Sequence, residues 1–401
     1  MAKKLKHHSL IDKVYKRINL YVAFERVRQN KGASGVDRVS LEEFERNLDN
    51  NLEEIHRLLY EDKYEPQPVR RVYIPKPNGD KRALGIPTVR DRVTQQALLN
   101  RIGTIFEAKF IDCSYGFRPN RSALQAIKRV EEYLKEGNQW VVEVDIAKFF
   151  DTVDQEKMID LVAEEIADGR VLRLIRKFLE SGVMEELKIE KTATGTPQGG
   201  VISPLLANIY LHPFDEKMTQ EGCKVVRYAD DIIILCQGKE EAEKVLTRAK
   251  EILERQLGLR VNEEKTRIIH KRQGFEFLGH LFGSGYSDYK MPRLRAIEAF
   301  KAKVRQITRR QQPKAMSNII EELNPVIRGW GRYFIGSNCK RVYWELDSWA
   351  RDRVRAYRLR KWSKLSYLKI SSHKLESMGL VSLYKLLRQY ELKLLLAKGQ
   401  R

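Results

Sequence analysis

The chain has 401 residues, 42% of them hydrophobic and 32% charged, enough for two or three globular domains with a sizeable core. Its net charge of +21 lies at one end: residues 1–289 hold 48 Lys+Arg against 46 Asp+Glu, and residues 290–401 hold 27 against 8. That asymmetry implies a polyanionic partner, while the lack of any apolar run near the roughly 20 residues of a spanning helix argues against a membrane protein.

The opening "MAKKLKHHSL" is basic and lacks the apolar core of a signal peptide. Residues 8–60 have the pattern of helices, broken by the Gly-rich turn "NKGASGVD" (30–37). Between Tyr64 and Pro87, "VRRVYIPK" and "KRALGIP" flank a Pro-Asn-Gly-Asp turn, which predicts a β-hairpin. Residues 90–110 and 121–136 are expected to be helical. "WVVEVDIAKFF" (140–150) is a strand that runs out at Asp145, and helices follow to about 181. "GTPQGGVISPLLANIYL" (195–211) is a Gly/Pro turn opening a helix. In "VVRYADDIIIL" (225–235), two short β-rich runs meet at Asp230 and Asp231. A helix across 238–257 and a short strand pair in "GFEFLGHLF" (274–282) come next, and from about 291 the chain is helical and basic. The pattern is α+β: an antiparallel sheet with helices, then a separate helical module. Cys113, Cys223, Cys236 and Cys339 have the spacing of neither a zinc clip nor a disulfide framework, so a reducing cytoplasm is the simplest location.

Adjacent Asp230 and Asp231 repel, and burying both is costly without a positive partner. Solvated turn residues would be the ordinary explanation. If the two strands are neighbours in one sheet, however, Asp145 joins the pair at the same end. Magnesium takes oxygen ligands and often binds through one or two carboxylates plus substrate phosphates. The repulsion would then recruit metal, and two such ions can activate a 3′-hydroxyl and stabilise departing pyrophosphate.

"YADD" (228–231) with an upstream "DIAKFFD" resembles the polymerase palm of reverse transcriptases. The wider chain is similar to the bacterial group II intron-encoded reverse transcriptases, or maturases. Blocks occur in the family's order: "GASGVD", "IPKPNGDKRALGIPT", "SYGFRPNRSALQAI", "VDIAKFFDTV", "GTPQGGVISPLLANI", "RYADD", "LGLRVNEEKT", "FEFLG" and "IRGWGRYF", across roughly residues 20–365. The resemblance implies a right-hand polymerase: an N-terminal helical extension (1–64), fingers and palm with an antiparallel palm sheet (65–287), a basic helical thumb (288–364) and a short C-terminal segment (365–401). It implies RNA-directed DNA synthesis from a DNA primer, an RNA template and dNTPs with two Mg2+ ions, Mn2+ substituting, and binding of group II intron RNA. Asp145, Asp230 and the Ile146 carbonyl would hold metal, with Asp231 more peripheral. Lys76 and Arg82 would grip the triphosphate and Gln198 line the nucleotide pocket, with Gly199 and Gly200 permitting close backbone approach. Phe150 would be the steric gate against a 2′-hydroxyl, and Lys265 a proton donor to pyrophosphate. Phe277, Leu278 and Gly279 would form the primer grip. Arg353, Arg355 and Arg358 would contact template-primer or RNA. As sequence alone, Phe150 reads equally well as core, Lys265 as a solvated helix lysine, and most of Trp330, Tyr333, Trp344, Trp349 and Trp362 as helix core.

No His/Asn/His stretch with paired cysteines follows the thumb, and only 37 residues follow Lys364. The expectation is therefore no nicking endonuclease and no independent reader of duplex DNA; "SHKLESMGLVSLYKLL" should be a helix closing on the thumb. Two alternatives stay open: a domesticated relative in DNA repair or phage defence, and a splicing maturase that binds RNA without essential polymerase activity. Intron RNA structure flanking the gene separates the first from an intron protein.

Overall fold

The computed structural model describes residues 6–75, 81–185, 188–190, 199–284, 288–360 and 366–399. The chain divides into two compact units, residues 1–268 and 269–401.

In the first unit, the helix Arg17–Asn30 packs on Val89–Glu107 through Leu20, Ala23, Phe24 and Val27. A capping box at Ser40 and Glu43 starts the helix Leu41–Arg46. Asp168 caps the helix Gly169–Glu180 and also accepts from the amides of Leu10 and Ile11, tying the N-terminal segment to the body. The expected hairpin forms from β1 (Val69–Pro75) and β2 (Lys81–Ile86), antiparallel from Arg70↔Ile86 to Pro75↔Lys81. β3 is Trp140–Asp145, ending where the sequence ran out of apolar residues. β4 (Val183–Glu185) and β5 (Lys188–Glu190) extend the hairpin sheet in the order β2-β1-β4-β5, with β4 parallel to β1. The second sheet has the order β6-β7-β3-β8, from β6 (Lys224–Tyr228), β7 (Asp231–Cys236), β3 and β8 (Arg267–His270). β7 is antiparallel to both β6 and β3. Val141, Val142 and Val144 of β3 and Ile232–Leu235 of β7 are buried, so this sheet is covered on both faces. The helix predicted across 238–257 is present as Lys239–Lys250, continued by a π-helical turn over Glu251–Gln256.

The second unit opens with a three-stranded antiparallel sheet: β9 (Phe275–Phe277), β10 (His280–Ser284) and β11 (Asp288–Pro292), in the order β11-β10-β9. Helices Leu294–Ile307, Met316–Phe334 and Lys340–Leu359 follow and share one core. Leu375, Leu380, Leu383 and Leu387 of the C-terminal segment enter that core. The segment thus packs on the basic helices as its apolar spacing predicted, but as two helices, Ser372–Ser377 and Leu383–Gly399, instead of one, with Gly379 at φ 93° in the break. No helix among the described residues is long and apolar enough to cross a membrane.

Candidate active site

β6 and β7 meet in a two-residue turn. Tyr228 pairs with Asp231, leaving Ala229 and Asp230 as the loop. Ala229 has φ 58°, a left-handed conformation that costs an alanine about 1–3 kcal/mol and persists only where the surroundings enforce it. Across the sheet Asp145 stands directly opposite Asp231, so their side chains project from the same face. Asp145 and Asp230 are half-buried and Asp231 is exposed. The three carboxylates therefore gather at one end of the sheet, and the in-register partner of Asp145 is the second aspartate of the pair.

The "NEEKT" segment clasps Asp145. The Asp145 amide donates to Thr266 Oγ1 at 3.2 Å, its carbonyl accepts from the Asn262 amide at 2.8 Å, and Lys265 Nζ lies 3.3 Å from Asp145 Oδ2. Lys265 is 67% exposed. Ile146 bridges Val261, with the bonds carried by Asp145 O and Ala147 N. In this non-hydrogen-bonded pairing the Ile146 carbonyl turns away from Val261, to the β7 side.

The side chains of Asp145, Asp230 and Asp231 offer oxygen donors only, the ligand type that magnesium takes. Among the described residues no group of three or more His, Cys, Asp or Glu side chains closes a metal cage.

Phe150 lies in the turn Phe149–Thr152, half-buried, its ring 5.2 Å from that of Phe149 in an edge-on contact. Lys76 and Gln198 lie outside the described residues; Arg82 is a β2 residue opposite Ile74. Gly199 has φ 114°, and a Cβ there would sit 2.2 Å from the Gly85 carbonyl oxygen. The close approach at this glycine is thus made by β2 itself, which couples Gly199 to the hairpin carrying Arg82.

In the second unit, Leu278 and Gly279 form a two-residue turn between Phe277 and His280, with φ of 46° and 79°. Leucine is strained there, and the turn is anchored: the Leu278 carbonyl accepts from Tyr333 Oη at 2.8 Å, and the Gly279 carbonyl from the Arg293 amide at 3.0 Å. His280 Nδ1 is 3.2 Å from the same Leu278 oxygen, and burial pushes the imidazole pKa down to about 4. Tyr333 is one of five aromatics of which the sequence places most in helix core; its hydroxyl serves here as an anchor.

The three arginines separate. Arg358 is exposed. Arg353 is half-buried, donating to Thr308 Oγ1 and O; burial, then Arg305 and Arg310, lower its pKa. Arg355 is 4% exposed and spends its nitrogens on Ile370 O, Asp352 Oδ1 and Ser372 Oγ. It clips the C-terminal segment to the Lys340–Leu359 helix, so its expected contact with nucleic acid does not suit this geometry. Trp330 packs against the core, as does Trp349, over which Lys301 and Arg305 lie; Trp344 is exposed, and Trp362 is outside the described residues.

Below the aspartates lies a buried polar cluster that sequence reading missed. Arg227 Nε donates to Asp215 Oδ1 at 2.7 Å and Nη2 donates to Asp215 Oδ2; Nη1 donates to Asn208 Oδ1 at 2.9 Å and to the Ala229 carbonyl at 3.0 Å. Burial opposes the charge on Arg227, but Asp215 outweighs it and the guanidinium pKa is raised. The available signal was the seven-residue spacing of Asn208 and Asp215, two helical turns apart on one face and among the buried apolar residues Leu205, Leu211, Phe214 and Met218 of this helix.

The carboxylate-tipped sheet lies within residues 74–282, which match a family model described as "Reverse transcriptase (RNA-dependent DNA polymerase)". The chain therefore carries a reverse transcriptase domain. Residues 297–375 match a second model, "Group II intron, maturase-specific domain", and the chain belongs to the group II intron reverse transcriptase/maturase family. It is 36% identical over 291 residues to Protein YkfC of Escherichia coli (strain K12), covering 63% of this chain and 76% of that protein. It is 34% identical over 327 residues to Group II intron-encoded protein LtrA of Lactococcus lactis subsp. cremoris, covering 65% of this chain and 54% of LtrA. A putative COX1/OXI3 intron 2 protein of Saccharomyces cerevisiae is 28% identical, covering 65% and 37%. The chain thus spans about half the length of LtrA and a smaller part of the yeast protein.

Proposed function

We propose that this protein extends a DNA primer on an RNA template by nucleotidyl transfer from dNTPs. The carrying observation is the placement of Asp145 opposite Asp231, with Asp230 in the adjoining turn, inside the reverse transcriptase match. Asp145, Asp230 and the Ile146 carbonyl would hold two Mg2+ ions, Mn2+ substituting, with Asp231 at the periphery; when bound, the ions activate the 3′-hydroxyl and neutralise the pyrophosphate. Thr266 and Asn262 hold the Asp145 backbone in place. Lys76, Arg82 and Gln198 bind and orient the triphosphate and base, and the 277–279 turn aligns the primer end. Residues 65–287 act as fingers and palm behind the 1–64 extension, and 288–364 as a thumb closed by 365–401. The maturase-specific match supports intron RNA as a further ligand.

The test is extension of a DNA primer on an RNA template by the purified protein. Mg2+-dependent product, lost on chelation and regained with Mg2+ or Mn2+, is expected. RNA binding with no extension under any of these metals would leave a maturase acting by binding alone.

Lys265 can serve as proton donor or as counter-charge to Asp145. We expect the donor role, worth about 10²-fold or more in kcat. Lys265→Arg keeps the charge but cannot give up its proton near neutral pH, so it should be as slow as Lys265→Ala. Recovery in Lys265→Arg would assign the counter-charge role.

Template-primer affinity should fall steeply with salt. Each phosphate contact contributes a slope of about −0.7 to −0.9 in log K against log salt. Replacing Arg353 and Arg358 with Gln should flatten the slope by roughly 1.5, whereas Arg355→Gln should lower thermal stability more than it alters the slope. Equal slopes in wild type and the double variant would direct this surface to another partner.

A further inference from the structure

We propose that Arg227, with Asp215 and Asn208, is a positioning device for the β6–β7 turn, fixing the backbone from which Asp230 projects. The proposal rests on the reading of Asp230 as a metal-binding catalytic residue.

Arg227 is fully buried on a strand whose neighbours Val225 and Val226 are core residues. A third aliphatic side chain would fill this place more simply, because a buried ion pair adds little net stability over apolar packing. What the guanidinium supplies is direction. Its fork is locked by two bonds to Asp215 and one to Asn208, and the remaining bond goes to the Ala229 carbonyl, in the peptide that leads into Asp230. Ala229 is the strained residue of the turn.

The opposite side of the turn is closed by "CSYG", residues 113–116. The Arg227 amide donates to Cys113 O and the Tyr115 amide donates to Arg227 O, both at 2.8 Å. Gly116 lies against the turn so closely that a Cβ would be 2.3 Å from Ala229 N and 2.9 Å from Tyr228 C. Asn208 joins the two sides: its Nδ2 donates to Gly116 O at 2.9 Å while its Oδ1 accepts from Arg227. One cage therefore holds the strained turn from both sides. Magnesium demands near-ideal octahedral geometry, so carboxylates on a relaxed turn should need more of it.

The test compares wild type with Arg227→Met/Asp215→Leu, Asn208→Ala and Gly116→Ala. The double variant removes both charges together, leaving neither ion unpaired. Thermal unfolding establishes which variants fold. Amide exchange over 225–235, template-primer Kd, kcat and the Mg2+ midpoint of extension are then read, with Asp230→Asn in parallel. For folded variants we expect template-primer Kd to stay within about twofold and turn amides to exchange at least about tenfold faster. The expected fall in kcat is about tenfold or more, with a Mg2+ midpoint about fivefold higher, because the geometry tolerance is small. If the double variant does not fold, Asn208→Ala and Gly116→Ala decide by the same readouts. Wild-type exchange and a wild-type Mg2+ midpoint in the folded variants would overturn the proposal. Normal extension by Asp230→Asn would instead overturn the catalytic reading, while the exchange data would still decide whether the cage holds the turn.

Discussion

Asp230→Asn and Asp145→Asn should each reduce primer extension by about 10³-fold or more, with template-primer affinity within about threefold of wild type. Asparagine keeps the shape of aspartate and removes its charge, which isolates the electrostatic contribution. The turn should survive, because its positive φ is at Ala229 and its cage contacts the Ala229 carbonyl rather than the Asp230 side chain. Binding should survive because duplex affinity comes mainly from phosphate contacts, and the excess positive charge lies beyond residue 290. Asp231→Asn should cost less: Asp231 is exposed, whereas Asp145 and Asp230 are half-buried. Stability should change little in Asp145→Asn, where relief of like-charge repulsion is offset by loss of the exposed Lys265 pair. Single-turnover extension at saturating template-primer, with Kd measured separately by titration, checks all three. Near-normal turnover in Asp145→Asn or Asp230→Asn would remove the metal assignment, and a larger loss in Asp231→Asn would reverse the ranking.

The sequence disclosed most where a local pattern was strong. The pairing of β1 and β2 followed from the Pro-Asn-Gly-Asp sequence between two β-rich runs, though those four residues lie outside the described ones, and β3 ended at Asp145 as its run of valines predicted. The joining of Asp145 to the paired aspartates followed once β3 and β7 were neighbours, though the in-register partner proved to be Asp231. Short elements were less visible. β4 and β5 have three residues each, too few to establish a period of two, and β8 has four. β11, "DYKMP", mixes charge and proline and gains strand structure by pairing with β10. The buried cage was the least visible because its members lie at 113–116, 208, 215 and 227, and only folding assembles them. Arg355 shows the converse: a basic helix in sequence does not disclose which arginine the fold will consume.

Phe150→Ala should admit ribonucleotides, lowering the ratio of kcat/KM for a deoxynucleotide over its ribonucleotide by about 10²-fold, the order of discrimination an apolar site can impose on one added hydroxyl. A gate of this kind works only if the ring cannot retreat. Phe150 is backed by Phe149, which is itself 3% exposed and lies edge-on to Tyr210 at 6.3 Å. Tyr210 is fixed in turn, its hydroxyl donating to Leu257 O at 2.5 Å. Lys148 takes a left-handed conformation at φ 47° just before this pair, turning the chain sharply within five residues of Asp145. The ring is therefore backed by packed aromatic side chains and is only half covered. Because Phe150 is partly exposed, alanine should cost less than the roughly 3–5 kcal/mol of a fully buried Phe→Ala change. Phe149→Ala should carry that larger penalty and so serves as the stability control. The two roles of Phe150 separate cleanly in the measurements: a gate changes the nucleotide ratio with a small fall in Tm, whereas a core residue changes Tm and leaves the ratio where it was. An unchanged ratio in folded Phe150→Ala would return the ring to the core and require another residue to exclude the 2′-hydroxyl.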